Sequence, residues 1–356
     1  MIEIDGSHGE GGGQILRTSL ALSALTGTPV RIRRIRSSRK APGLKPQHLI
    51  SAKAAAQICR GSLVGARANS TDLRFLPGEV QAGRHAFDVG TAGSTSLVLQ
   101  TLLPPLSFAG SPSRILVHGG THVAWSPPAE YLRDVFLHTV SAMGLRAQVK
   151  IRRSGFYPRG GGEIEAIVEP SPSCLRPLRI VERGRLKSLR VISTVARLPL
   201  SIAERQLKRA TQRLAERGLA PRGETGTVES PGQGSFCFIR ADFENVRAGF
   251  SALGELGKRA ERVADEAVED FIGYWNGPGA LDRHLADQAA LYMALAEGES
   301  MVTVSEVTEH LKTNLWVIER FLPVTFALEE NLSGRGGTLR VTGTAFRGRR
   351  AGHEVF

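Results

Sequence analysis

The chain has 356 residues, of which 41% are hydrophobic and 22% charged, an ordinary globular mix with room for a sizeable core and two domains. No apolar run approaches the ~20 residues of a membrane helix, and the opening "MIEIDGSHGE" is acidic with no apolar signal segment, so the expected location is the cytoplasm, or a nucleus where the cell has one. The net charge of +12 points to a polyanionic partner, RNA or DNA.

In chain order, "HGEGGGQILR" (His8 to Arg17) comes first and sets four glycines beside Glu10 and Arg17. It lacks the GK[ST] ending of a phosphate-binding P-loop and the GxGxxG spacing of a dinucleotide turn. A tight turn with positive-φ glycines explains the glycines. Glu10 is the odd residue, since a carboxylate beside phosphates makes sense with a divalent metal between them. Ile15, Leu16, Leu20, Leu22 and Leu25 then have the spacing of a buried helix that Gly27 can cap.

"TPVRIRRI" alternates like a strand and runs into seven Lys or Arg between Arg31 and Lys45 with no acidic residue. Pro42, Gly43 and Pro46 fix the end of that run, which favours a positioned patch over a floppy tail. "GLKPQHL" follows with Gln47 and His48. "DVGTAGSTSLVLQ" is a Gly/Ser/Thr turn entering a helix that carries Gln100, and the strand "SRILVHGG" comes next. "YLRDVFLHTVSAMG" reads as a helix, and "LRAQVKIRRSGFYPRGGGEIEAIVEP" as two strands around a Gly-rich hairpin turn.

Residues 182–275 change character. A strand ("RGRLKSLRVISTVA") leads to an amphipathic helix with a Ser201/Glu204 capping box, a Leu207/Ala210/Leu214 stripe and Gly218 at its end. Another strand ("GSFCFIRADF") and another helix ("KRAERVADEAVEDFIGYW") complete a small inserted α/β module. "LADQAALYMALAEG" then "SMVTVSEV" repeats the earlier helix–turn–strand order. In "TEHLKTNLWVIERFL", Ser305 and Asn314 are both candidate N-caps, so two short helices are expected around His310. A helix-turn-helix DNA reader is disfavoured, because the second helix is mostly apolar. Cys59, Cys174 and Cys237 are far apart with no CxxC pair, which fits reduced, buried thiols rather than disulfides or a zinc site.

The expected fold class is therefore α/β (α+β). Repeated units make a large domain (1–181 plus 276–356), and residues 182–275 make a smaller inserted α/β domain.

Taken singly, each motif admits a structural explanation. Taken in order they are not a chance set: "IDGSHGEGGGQILRTSLALSALTG", "PGLKPQHL", "VGTAGSTSLVLQTLLP", "GGTHVAWSPPAEYL", "GFYPRGGGE", "LADQAALYMALA" and "TEHLKTN". This series resembles the RNA 3′-terminal phosphate cyclases over essentially the whole chain. The resemblance implies βαβαββ repeats plus an inserted domain. It implies ATP-dependent conversion of an RNA 3′-phosphate into a 2′,3′-cyclic phosphate through a histidine–AMP adduct, with RNA ends as partner and ATP and divalent Mg or Mn as cofactors. Residue by residue, it implies that His310 is adenylylated and that Glu10 helps hold the metal. It places Gln100, Pro127, Phe250, His284, Leu285, Ala286, Asp287 and Gln288 at the adenosine pocket, and Arg17, Arg36, Arg39, Gln47 and His48 at the RNA end. The family usually has Tyr where His284 and His8 stand here, which bears on nucleotide preference. Cyclase-like binding proteins lack the catalytic histidine, and enolpyruvyl transferases share the repeat without the insert. The presence of His310 and Glu10 separates this chain from both.

Overall fold

The computed structural model describes residues 1–171, 174–332 and 334–348. One supersecondary unit is built three times. In the first, β1 (Ile2–Asp5), α1 (Gly13–Thr26), β2 (Val30–Arg33), α2 (Pro46–Ile58), β3 (Ser62–Val64) and β4 (Leu73–Leu76) form a sheet of order β1-β2-β4-β3. Only β1 and β2 are parallel, as the βαβ crossover through α1 requires.

The second unit runs β5 (Arg84–Asp88), α3 (Thr95–Ser107), β6 (Ser113–Gly119), a helical run of α4 (Ala129–Tyr131), a π turn (Leu132–Phe136) and α5 (Leu137–Ser141), then β7 (Arg146–Arg153) and β8 (Gly162–Glu169). Its order, β5-β6-β8-β7, repeats the first in both sequence and polarity. The turn between β7 and β8 contains "FYPRGGG", as the hairpin reading expects.

The third unit starts at β9 (Arg179–Ile180) and is then interrupted. β10 (Leu186–Ala196), α6 (Leu200–Ala215), β11 (Arg222–Thr227), β12 (Gly234–Phe243), β13 (Arg247–Leu253) and α7 (Ala260–Asn276) make a separate sheet, β11-β10-β12-β13, with both helices packed on it. The unit resumes with α8 (Leu285–Leu295), β14 (Glu297–Val304), α9 (Glu309–Phe321), β15 (Ala327–Glu330) and β16 (Gly337–Thr344), in the order β15-β16-β14-β9. Arg183 ties the two crossings of the interruption together. Its guanidinium donates to the carbonyls of Tyr274 (2.8 Å), Gly277 (2.6 Å) and Gly279 (3.1 Å) and lies 4.3 Å over the Tyr274 ring.

The first helices of the three units are α1, α3 and α8, and all are buried nearly all round. α1 lies between its own sheet and α2, α3 and α9, so its sequence needs no polar face. It ends at Gly27, in the left-handed region with φ 72°, whose N–H donates to Ser23 O at 2.9 Å.

Two sequence expectations are corrected. The Ser201/Glu204 capping box is absent: α6 begins at Leu200 behind Pro199, which presets the entry and places Ser201 inside the first turn. The two short helices around His310 are one, α9. Thr308 caps it, its Oγ1 accepting from Leu311 N at 3.1 Å, and Asn314 is drawn into the helix interior by partners described below. Among the described residues no helix is long and apolar enough to cross a membrane.

Candidate active site

The loop between β1 and α1 and the first turns of α8 and α9 meet at one place. His310 is the second residue of α9, where the free N–H groups of a helix start create a positive end. Its Nε2 lies 2.7 Å from Glu10 Oε2, and its Nδ1 lies 3.4 Å from Asp287 Oδ2. The other Glu10 oxygen is paired with Arg39. The hydrogen bond from His310, then its charge and the contact with Arg39, hold the Glu10 carboxyl below the usual carboxylate range despite partial burial.

Asp287 has the opposite environment. Burial pushes its pKa up to about 6, against the pull of His310 and of the hydrogen bond that Gln14 Nε2 donates to Oδ2 at 3.2 Å. α9 is braced from behind. Asn314 Nδ2 donates to the Asp287 carbonyl at 2.5 Å, and Thr18 Oγ1 donates to Asn314 Oδ1 at 2.7 Å. Glu10 N reaches Thr313 Oγ1 at 3.3 Å. These contacts fix three elements against one another and so fix the imidazole between two carboxylates. Asp287 Oδ1 and Gln14 Oε1 are buried with no hydrogen-bond partner among the described residues. Unsatisfied acceptors of this kind call for a water or a ligand donor.

A second group adjoins the first. His48 is 5% exposed, and its Nδ1 accepts from Lys45 N at 3.2 Å, which closes the start of α2. A side chain in place of Gly13 would bring its Cβ 2.3 Å from His48 Nε2 and 2.9 Å from Arg17 Nη1, so the bare backbone there is a packing requirement. Burial, then the charges of Arg17, Arg36 and Lys45, depress the His48 pKa to about 3. The ring is therefore neutral, with Nε2–H as its remaining donor. Arg17 is brought down to about 10 by burial, opposed by Asp287 and Glu10, and remains a cation. Arg36 turns back on its own loop, donating to the carbonyls of Ala41 (2.9 Å) and Gly43 (3.0 Å). Gln47 Oε1 accepts from Ser94 N at 3.1 Å, linking α2 to the loop before α3.

The third group is a polar chain between helices. Gln100 Nε2 donates to Gln288 Oε1 at 2.6 Å, and Gln288 Nε2 donates to His284 O at 2.8 Å. Arg283 Nε donates to His284 Nε2 at 3.2 Å, a bond that requires the ring to be neutral. Leu285 and Ala286 have their side chains in the core, so only their backbone is open to a ligand. Phe250 is buried against Phe271 and Tyr274, at 5.6 and 5.2 Å between ring centres, and Pro127 is half-buried in the loop before α4. No hydrogen bond joins either of them to the Gln100 chain. The nearer link is Asp282, which accepts from Tyr131 Oη at 2.7 Å and from the backbone of Gly249, next to Phe250.

Gln14, Thr18, Thr313 and Asn314 were not singled out from the sequence as site residues. The signal for the first two was present as polar side chains inside an otherwise apolar helix. His8, by contrast, stacks on Trp316 with 3.9 Å between centres and a 14° interplanar angle, so its ring is already occupied.

A divalent cation has only a partial cage here. Among the described residues no three His, Cys, Asp or Glu side chains group in a metal-holding arrangement. Glu10 offers one oxygen-rich end beside a helix start, which fits a cation that brings its remaining ligands on phosphate oxygens.

A sequence model of the family described as RNA 3′-terminal phosphate cyclase matches residues 8–328. Proteins of that name from Methylococcus capsulatus, Pyrobaculum neutrophilum and Thermococcus gammatolerans are similar throughout. The first is 44% identical over 328 residues, 90% of this chain and 91% of that one. The second is 45% identical over 331 residues, 92% and 95% respectively. The third is 46% identical over 341 residues, 96% and 97%. The solved enolpyruvyl transferase NikO from Streptomyces tendae is 11% identical over 96% of this chain and 81% of its own, with a TM-score of 0.29, and carries no argument.

Proposed function

The chain belongs to the RNA 3′-terminal phosphate cyclase family, and we propose that it is a ligase-type enzyme that closes RNA 3′-phosphates into 2′,3′-cyclic phosphates at the expense of ATP. The observation that carries this reading is the imidazole of His310, held between Glu10 and Asp287 at the start of α9.

In the first step His310 Nε2 attacks the α-phosphorus of ATP. A P–N bond forms, the α–β bridging bond breaks and pyrophosphate leaves. For this the Nε2 contact with Glu10 must open and give up its proton; Asp287 then accepts from Nδ1–H, which leaves the lone pair on Nε2 and steadies the charge that builds on the ring, as an aspartate does for other catalytic histidines. In the second step an oxygen of the RNA 3′-phosphate attacks the same phosphorus and the P–N bond breaks. His310 is released, and an RNA(3′)pp(5′)A anhydride is left. In the third the 2′-oxygen attacks the RNA phosphorus, its proton is lost and AMP departs. A divalent cation shared by Glu10 and the nucleotide phosphates would neutralise charge that otherwise repels the nucleophile.

The chain's own side chains divide the remaining work. Gln100, Gln288 and the first turn of α8 receive the adenosine, with Phe250 and Pro127 at its edge. His284, neutral and next to Arg283, takes the position where the family usually has Tyr. Arg17, Arg39 and neutral His48 present donors to the RNA phosphate, with Gln47 and Arg36 shaping the loops behind them. The division of labour follows a two-domain organisation, with residues 182–275 as the inserted domain and the rest as the catalytic one.

The test is covalent labelling. Incubation with α-labelled ATP and Mg²⁺ or Mn²⁺ is expected to give an acid-labile adduct in the wild type and none in His310→Ala. A wild type that stays unlabelled with either metal would reject the reading.

A further inference from the structure

The "FYPRGGG" hairpin turn is not part of the chemistry above, yet it forms one wall of a cavity of about 400 Å³. Tyr157 and Arg159 line that wall, and Arg197, Pro231 and Gln233 of the interruption between β9 and α8 line the other. Tyr157 is 75% exposed. Among the described residues neither Arg159 nor Arg197 has a carboxylate within 4 Å; Arg197 Nη1 reaches the Pro231 carbonyl at 3.5 Å. No acidic residue lines the cavity. Arg197 also stands in the left-handed region with φ 51°, an uncommon conformation for a side chain of its size.

The walls are fixed before anything binds. Arg153 Nε donates to Gly161 O at 2.8 Å, and Gln233 Nε2 donates to Arg197 O at 3.3 Å. Ser154 N donates to Glu229 O at 2.9 Å across the two walls. Beneath them the buried His122 ring stacks on Phe156 and meets Phe236 of β12 edge-on, 4.8 and 4.5 Å between centres. A ladder of bonds also ties the hairpin to the RNA-end group. Thr121 N donates to Gly155 O (2.9 Å), Gly120 N to Gly93 O (2.8 Å), and Ser94 N to Gln47 Oε1 (3.1 Å), next to His48.

We propose that this groove holds the single-stranded RNA upstream of the 3′ end. Arg159 and Arg197 bind successive phosphates and Tyr157 stacks on a base, so the hairpin and the inserted unit measure the strand while α1, α8 and α9 act on its end. The chemistry matches: guanidiniums with no carboxylate partner suit phosphates, an exposed aromatic suits any base, and hydrogen bonds in and across the walls hold the cavity's shape. This assignment rests on the cyclase reading.

The test compares substrates of two lengths in Tyr157→Ala/Arg159→Ala/Arg197→Ala and in the charge reversal Arg159→Glu/Arg197→Glu. Adduct formation on His310, which needs no RNA, is expected to be unchanged and shows that the variants are folded. A 3′-phosphorylated trinucleotide is expected to keep its KM. A 12-nucleotide RNA, followed by fluorescence anisotropy, is expected to bind about tenfold more weakly in the triple variant. Its salt slope should fall by roughly 1.4, the amount for two phosphates, and the charge reversal should lose more. Unchanged affinity for the 12-mer, or an equal loss for the trinucleotide, overturns the proposal. A wild type that binds the 12-mer through these residues but never labels on His310 would instead reject the cyclase reading and leave the groove standing.

Discussion

The first and third repeats place a histidine in almost the same position, the first turn of their second helix, and give it opposite properties. His48 in α2 is 5% exposed, surrounded by Arg17, Arg36 and Lys45, and depressed to about 3. His310 in α9 keeps 42% of its side-chain surface open and faces two carboxylates. The repeat supplies the scaffold and the helix start, while the neighbours decide whether an imidazole is a locked neutral donor or a half-open ring between two carboxylates. Reactivity therefore cannot be inferred from position in the repeat alone.

The contrast can be broken most sharply by removing each ring. His310→Ala is expected to lower cyclisation by at least about 10³-fold, as removal of a nucleophile does. His48→Ala should keep its labelling by α-labelled ATP and lose mainly stability, about 1–3 kcal/mol for a buried bonded ring. Equal loss of labelling in both would mean that the two sites act as one.

Glu10→Gln keeps the shape of the neighbour and removes its charge. Labelling at low metal is expected to drop about 10–100-fold and to recover partly at higher cation concentration. A metal titration superimposable on the wild type would return Glu10 to a structural role. Gly13→Ala attacks the first repeat instead: its methyl meets His48 and Arg17, so a fall in stability of about 1–3 kcal/mol is expected. The RNA-dependent step should suffer more than adduct formation, and the reverse ordering would misplace the RNA end.

Asp287 separates function from stability. Its folded-state pKa of about 6 lies above the unfolded value, so between about pH 4 and 6 the folded protein keeps a proton that the unfolded chain has shed. Stability from this group is thus greatest at low pH and declines as pH rises through that window. Asp287→Asn never ionises and should gain on the order of 2 kcal/mol relative to wild type between pH 4.5 and 7.5, while losing activity. A melting-temperature difference that does not change with pH would refute this account of the burial. The smallest effect belongs to the interruption's surface. Arg209→Ala loses a partly buried pair with Asp265, which keeps Arg213 as its partner, and is expected to cost about 0.5 kcal/mol with no change in labelling.

How far the site could be read from the sequence depends on the range of the interactions. Gln14 lies on an apolar helix and bonds Asp287 in α8, 273 residues away, so no local pattern could pair them. Asn314 is a good N-cap type, and it was expected to start a helix; the carbonyl of Asp287 and the hydroxyl of Thr18 draw it into a brace inside α9 instead. Ser201 failed as a cap for a local reason, because Pro199 started the helix two residues sooner. The Ala, Leu and Ile runs of α1, α3 and α8 were legible because burial on all sides leaves an apolar signature that no partner needs to complete.

By itself, then, the sequence determined the helices α1, α3 and α8, the strands β2, β6, β7, β8 and β14, the basic run that starts in β2, and the family resemblance that singled out His310 and Glu10; α2 and the short strands β1, β3, β4, β5, β9, β15 and β16 were not legible. These depend on periodicity, glycine and proline signals and motif order, all of which act over a few residues. Only the tertiary structure decided which carboxylate meets which ring nitrogen, that His48 is neutral and used in a cap, and that an Arg-lined groove joins the hairpin to the interruption. Pairing across hundreds of residues is set by how sheets and helices pack, and the pKa of a buried group is set by the neighbours that packing brings.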